Sequence, residues 1–194
     1  GPRAAIDIDR ERCERKLSHF TRSGWRFIDP AAYVDNWHID AMAEHLEAVI
    51  VGDIRRLLIC IPPRHMKSLI TCVAWPAMVW ALDPSKGKWS NAPLAGPGTK
   101  FLSLSYGMTL STRDAVKSRW LMESPWYQDR WGHRWKFRGD QNAKDRYVND
   151  KGGHRIPSAG MGLGTGEGGD IIIVDDAHNV LDAESPVVRT KTVQ

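Results

Sequence analysis

Two places in the chain carry side chains of the types that handle a polyphosphate. The first is Leu57–Val73, LLICIPPRHMKSLITCV: an apolar run, two prolines, a short basic loop closed by Lys67-Ser68, and a second apolar run. A loop that cradles phosphates needs unpaired backbone N–H groups, a helix N-terminus, a lysine and a hydroxyl. Aligning Lys67-Ser68 with the closing pair of the G-x-x-x-x-G-K-[ST] pattern puts Ile61 and Met66 at the two glycine positions. Pro62 and Pro63 donate no N–H, so the donors fall to Arg64, His65, Met66, Lys67, Ser68 and Leu69. Lys67 would reach the β- and γ-phosphate oxygens, and Ser68 would offer its hydroxyl to Mg2+. The proline pair presets the bend at low entropy cost. Met66 lacks glycine's freedom and is expected to keep an ordinary backbone and swing its side chain away. Arg64 either adds charge near the phosphates or pairs with a surface carboxylate, and the whole loop could instead be a plain strand-to-helix turn.

The second place is DIIIVDDAHN, Asp170–Asn179, an apolar run that ends in two acids. In phosphoryl-transfer enzymes of this layout the first acid holds Mg2+ through water and the next orients or deprotonates the attacking water. Asp175 fits the first role and Asp176 the second. Glutamate is usual at the second position, and aspartate is one methylene shorter, so the water must sit closer or the strand must shift. Alternatively, Asp176 caps the helix that follows.

Elements must bring these residues together. Leu57–Ile61, FLSLSY and DIIIVDD read as short strands buried on both faces. From Ile39 apolar residues recur at three- and four-residue steps to Ile50, which predicts an amphipathic helix ending near Gly52. Ser68 to Leu82 reads as a core helix with a kink expected at Pro76. TLSTRDAVKSRWLMES predicts a helix with Thr109 or Ser111 as N-cap, PWYQDRWGHRW resists assignment, and KFRGDQNAKDRYVNDKGGHRIPSAG predicts short antiparallel strands around Asp150–Gly153. MGLGTGEGG reads as a flexible loop, and residues 6–19 as a charged surface helix. Buried strands alternating with helices predict an α/β protein with a mainly parallel central sheet flanked by helices. Ligands in such sheets bind at the carboxyl ends of the strands, where both the Pro62–Ser68 loop and Asp175-Asp176 fall.

Composition sets the frame. The 194 residues are 42% hydrophobic and 26% charged, ordinary for one globular domain. No apolar run approaches the roughly 18 residues of a membrane span, so no membrane partner is expected. Cys13, Cys60 and Cys72 show no metal-ligand spacing, and Cys60 and Cys72 read as buried reduced thiols of a cytosolic protein. The net charge is +4, and Arg113–Arg155 holds 11 Lys/Arg against 6 Asp/Glu, a local excess suited to a polyanion. Within it Trp120, Trp126, Trp131 and Trp135 alternate with Arg119, Arg130, Arg134 and Lys136. Such interleaving either stacks on and neutralises nucleic acid or marks a satellite hydrophobic cluster.

HIDAMAEHLEAV, IPPRHMKSL, SLSYGMTLSTRDAVKSRWLMESPWYQDRW and GTGEGGDIIIVDDAHNVLDAESPVVR stand in an order and spacing that resemble the N-terminal ATPase part of the large terminase subunit of tailed bacteriophages. The likeness runs from about Trp25 onward, which divides the chain into a charged segment, 1–24, and an ATPase domain, 25–194. The resemblance implies a P-loop NTPase of RecA-like (ASCE) type that uses ATP and Mg2+ to move double-stranded viral DNA into the procapsid. It implies work in the host cytoplasm as a ring docked on the portal protein, with the small terminase subunit as a further partner. Lys67 and Ser68 match the Walker A lysine and hydroxyl, Asp175 the Walker B aspartate and Asp176 the catalytic carboxylate. NWHID matches the segment that lines the adenine, with Trp37 or His38 as the contact, unless Trp37 is a core residue. Some relatives carry an arginine in the Gly-rich loop before Walker B. Glu167 stands there, which leaves Arg113, Arg119 and Arg155 as candidates for the arginine finger, with Arg119 the choice. The family also has a C-terminal nuclease; nothing of it precedes Gln194, so no DNA cleavage is expected. Two other readings stay open: a helicase-type motor fragment, because DDAH resembles the helicase D-E-x-H box, and a nucleotide-binding or portal-docking module that does not hydrolyse.

Overall fold

The structure, a computed structural model, describes residues 1–105, 107–143, 145–159 and 168–176. Among them six α-helices and five strands are formed. α1 (Pro2–Arg15) and α2 (Leu17–Gly24) open the chain, and α3 (Trp37–Val51) follows. α3 buries Ile39, Met42, Ala43, Leu46 and Ile50, the stripe that the periodicity predicts, and stops at Gly52, whose φ of 87° is easy only for glycine. After the phosphate-loop candidate the chain makes a π-helical stretch, Leu69–Ala74, that runs into α4 (Trp75–Ala81). Pro76 has no N–H to give, and the Trp75 N–H reaches Ile70 O, five residues back. This segment is buried on nearly every side and forms the centre of the core.

β1 (Phe101–Ser105), α5 (Met108–Glu123) and α6 (Pro125–Trp131) come next, then β2 (Phe137–Asn142), β3 (Tyr147–Asn149), β4 (His154–Ala159) and β5 (Ile171–Val174). α5 is capped by Gly107 rather than by Thr109 or Ser111. The strand order is β2-β3-β4-β1-β5. β1 runs parallel to β4 and β5, whereas β2–β3 and β3–β4 are antiparallel, the latter pair joined by the turn at Asp150–Gly153. A Cβ on Gly153 would lie 2.0 Å from Pro97 O, so that turn requires glycine.

The expectation of a mainly parallel sheet of P-loop, RecA-like type is therefore corrected: the sheet is mixed, with short strands. Two causes are visible. The β2–β3–β4 meander is built from adjacent segments, which can pair only antiparallel. And Leu57–Ile61 joins no ladder: it runs extended, with Leu58 86% exposed and Cys60 at the surface, so neither is the buried residue expected. An apolar groove of about 550 Å³ lies along it, with Leu57–Ile59 on one wall and Ile171–Val174 of β5 on the other.

The charged residues 1–24 pack on this core rather than lying free. Cys13, Leu17 and Phe20 are fully buried, and Phe20 meets Trp126 and Trp131 at ring-centroid distances of 5.2 and 5.4 Å. Trp126, Trp131 and Trp135 are buried here, so the basic-aromatic stretch is a hydrophobic cluster; of its four tryptophans only Trp120 is exposed. Arg130 and Arg134 turn inward to Asp9 and Glu14 at 2.8 Å each.

Candidate functional site

The loop between Ile61 and Leu69 is bent by backbone conformations that side-chain-bearing residues avoid. Arg64 and Met66 both have φ of 65°, and His65 between them does not. Met66 thus takes the very left-handed conformation for which glycine is usual, and the expectation that it keeps an ordinary backbone is corrected. Each such residue costs on the order of 1 kcal/mol. Alternation of left-handed and other backbone is the kind of geometry that can turn successive N–H groups to one side, the concave arrangement that binds anions. His65 fixes the bend by donating from Nδ1 to Pro63 O at 2.8 Å, and His38 Nε2 donates to His65 O at 3.2 Å. Thr71 Oγ1 donates to Lys67 O at 2.9 Å at the start of the buried helical segment.

The acids arrive from the end of β5, held where Asp175 N–H donates to Leu104 O at 3.0 Å. Lys67 Nζ lies 3.0 Å from Asp175 and 3.3 Å from Asp176. Ser68 Oγ donates to the other oxygen of Asp175. Partial burial pushes the Lys67 ammonium down, but the Asp175 and Asp176 carboxylates outweigh it and its pKa is raised. Asp176 has φ of 48°, a third left-handed residue at the same rim, and its carboxylate is largely exposed. Four residues from segments more than a hundred positions apart are brought within contact distance.

They face a cleft of about 680 Å³, within the range of small-molecule sites. Ile61–Leu69 and Asp176 line it, with Trp25, Asp29 and Val34 opposite and Arg113 and Lys117 of α5 along one side. All the loop residues named from sequence, Arg64, His65, Met66, Lys67, Ser68 and Leu69, are in this wall. Trp37 and His38 are not. Trp37 is 78% exposed, which rules out the core alternative, and His38 acts on the loop through His65.

Arg119 lies away from the cleft. Its Nε meets Glu123 at 2.8 Å, its Nη1 donates to Ala143 O at 2.9 Å, and its guanidinium covers the Phe137 ring. Arg155 is 1% exposed and cannot be offered to any neighbour. Arg113 alone of the three lines the cleft. Arg113 and Lys117 sit four residues apart on α5, so helical spacing could have revealed them as a pair. Glu167 lies outside the described residues, as do residues 177–194.

Behind the rim is a buried polar layer that the sequence did not disclose. Asp114 is 3% exposed and accepts from Arg113 Nε at 2.8 Å. Burial raises its pKa, and the Arg113 guanidinium offsets part of that. Cys72, Ser103, Asp114, Arg155 and Asp175 surround one small void. All three guanidinium nitrogens of Arg155 and the Ser103 hydroxyl are buried without a hydrogen-bond partner. Burial pushes the Cys72 thiol up to about 12, so it serves as a small packing residue.

Ser68 Oγ and the Asp175 carboxylate are hard oxygen donors on one rim, the type that suits Mg2+. No family model, curated protein or solved structure matches this chain. The likeness to terminases rests on the quoted segments alone. No helix among the described residues is long and apolar enough to cross a membrane.

Proposed function

We propose that the cleft binds the magnesium complex of ATP and hydrolyses its terminal phosphate, and that the chain is an ATPase of a phage DNA-packaging motor. The observation that carries the first part is the meeting of Lys67, Ser68, Asp175 and Asp176 at the mouth of the cleft. Lysine, hydroxyl and two carboxylates are what a nucleoside triphosphatase needs at one point. The reading stands on this local chemistry; the mixed sheet does not support it.

Each residue then has a task. The loop N–H groups receive phosphate oxygens, and Lys67 turns from the two carboxylates to the β- and γ-phosphates. Ser68 and Asp175 are the residues that would hold Mg2+, which would supply charge neutralisation at the phosphates. Asp176 accepts the proton of the attacking water. Arg113 or Lys117 faces the charge that develops on transfer. Trp37, exposed next to His38 at the start of α3 and outside the cleft wall, would offer a flat surface to the base. The motor role rests on the resemblance, and with it go double-stranded DNA, the portal protein, the small terminase subunit, a ring of copies and the host cytoplasm as partners and place.

Phosphate release from ATP with Mg2+ tests the reading, together with equilibrium binding of a non-hydrolysable analogue. Wild type should bind and turn over, Lys67→Ala should do neither, and Asp176→Asn should bind without turnover. Wild-type protein that neither binds nor hydrolyses refutes the proposal. Wild-type protein that binds tightly and never turns over, alone or with DNA and portal, supports the non-hydrolysing module instead.

A further inference from the structure

We propose that Asp9, Cys13, His19 and Ser23 form a zinc site that staples α1 to α2. The four residues come as two pairs spaced by four, Asp9 and Cys13 on α1 and His19 and Ser23 on α2. That spacing stacks each pair on one face of its helix. The two helices pack against each other and bring Asp9 of one pair into contact with both members of the other.

The distances are those of a hydrogen-bonded cluster and also match the edges of a metal polyhedron. Asp9 Oδ1 lies 3.2 Å from His19 Nε2 and 3.1 Å from Ser23 Oγ, and Ser23 Oγ lies 3.3 Å from His19 Nε2. A tetrahedral zinc with nitrogen and oxygen ligands at about 2.0–2.1 Å has ligand–ligand edges of about 3.3 Å. The three atoms therefore outline one face of such a tetrahedron. Cys13 Sγ supplies the fourth corner: it is within 4.8 Å of the Asp9 and His19 ligand atoms. Closing it to a zinc–sulfur bond takes a side-chain adjustment on the order of 1 Å.

The surroundings suit a metal. Asp9 Oδ2, the oxygen turned away, accepts from Arg130 Nε at 2.8 Å and Trp126 Nε1 at 3.4 Å. Hydrogen bonds of this kind orient a ligating carboxylate and leave Oδ1 for the ion. Cys13 is fully buried, while the His19 and Asp9 side chains are 29% and 26% exposed, which gives the ion a way in. One sulfur, one imidazole nitrogen and two oxygens favour zinc over magnesium or calcium. A thiol binds zinc as thiolate, so metal uptake at Cys13 releases a proton.

The test uses tag-free, chelator-stripped protein, titrated with Zn2+ against a chromogenic chelator and with Co2+ in a spectrophotometer. One equivalent of zinc should bind, with release of a proton and a rise in melting temperature. Cobalt should give a thiolate charge-transfer band. The band should vanish in Cys13→Ser, zinc affinity should fall roughly 100-fold in His19→Gln, and both should persist in Cys60→Ser, which removes the exposed thiol. No zinc uptake by wild type, or a band that survives Cys13→Ser, or one lost in Cys60→Ser, overturns the site. A hydrogen-bond clasp without metal predicts one melting temperature with and without zinc. Should Cys13→Ser fail to fold, wild type, His19→Gln and Cys60→Ser decide the matter.

Discussion

The rim at Lys67 and the helix junction at Asp9 each gather several polar groups on one aspartate, yet they are built in opposite ways. At the rim Asp175 and its partners come from segments over a hundred residues apart, on backbone that includes three left-handed residues, Arg64, Met66 and Asp176. At the junction the partners are set by four-residue spacing on relaxed helices, with aromatic rings packed around them. Strained backbone of this kind clusters at ligand sites in proteins. Regular spacing beside a packed aromatic cluster serves stability.

The largest effect separating the two should come from Phe20→Ala. Phe20 is fully buried among Trp126, Tyr127 and Trp131. Its loss should cost about 3–5 kcal/mol, read as a lower midpoint in urea denaturation, whereas nucleotide affinity of the molecules that remain folded should stay unchanged. Lys67→Ala should reverse that pattern: ATP turnover falls on the order of 100-fold or more, and the denaturation midpoint barely moves. If both variants lower both quantities alike, the two regions are one cooperative unit and the distinction fails.

Smaller effects probe the cost of each design. Arg155→Met replaces a buried guanidinium without hydrogen-bond partners and should stabilise the fold by about 1 kcal/mol or more; a clear loss of stability would mean that Arg155 is compensated by Asp114 across the void. Arg64→Gly relieves one left-handed residue at an exposed site and should gain about 0.5 kcal/mol by thermal unfolding. The smallest change concerns Asp83, outside both regions, whose carboxylate accepts from the Ser85 hydroxyl and N–H and is held below its usual pKa of 3.8 by them. Its folded pKa is the lower one, so its contribution is present above pH 3.8 and is lost as pH falls through the folded value. Asp83→Asn should therefore flatten the acid limb of the stability profile slightly, by less than about 0.5 kcal/mol at this mostly solvated site.

What could be read from the sequence follows the same division. Lys67-Ser68 and Asp175-Asp176 were recognisable because their residue types are uncommon in that pattern, and the structure does bring them together. The α3 stripe was recognisable because a helical period is a local property. The sheet was not: whether the apolar Leu57–Ile61 joins a ladder depends on which edge stands beside it, and no periodicity encodes that. Met66 was misjudged because steric preference says what a methionine avoids, while the surrounding packing decides what it adopts. Trp126, Trp131 and Trp135 could be exposed or buried on local grounds alone, and the burial of Phe20 from a highly charged helix pair settles it. Of the finger candidates Arg113 and Arg119 on α5, only Arg113 faces the cleft, a matter of helix rotation that a resemblance in sequence does not carry.

The groove beside β5 has a practical outcome. Among the described residues that strand is hydrogen-bonded on one side only, and Ile172, Val174 and Leu58 stand 53%, 57% and 86% exposed around the open side. Such an uncovered ladder edge is adhesive toward other chains. Concentrated stocks should self-associate through it, and Ile172→Lys should keep them monodisperse in light scattering.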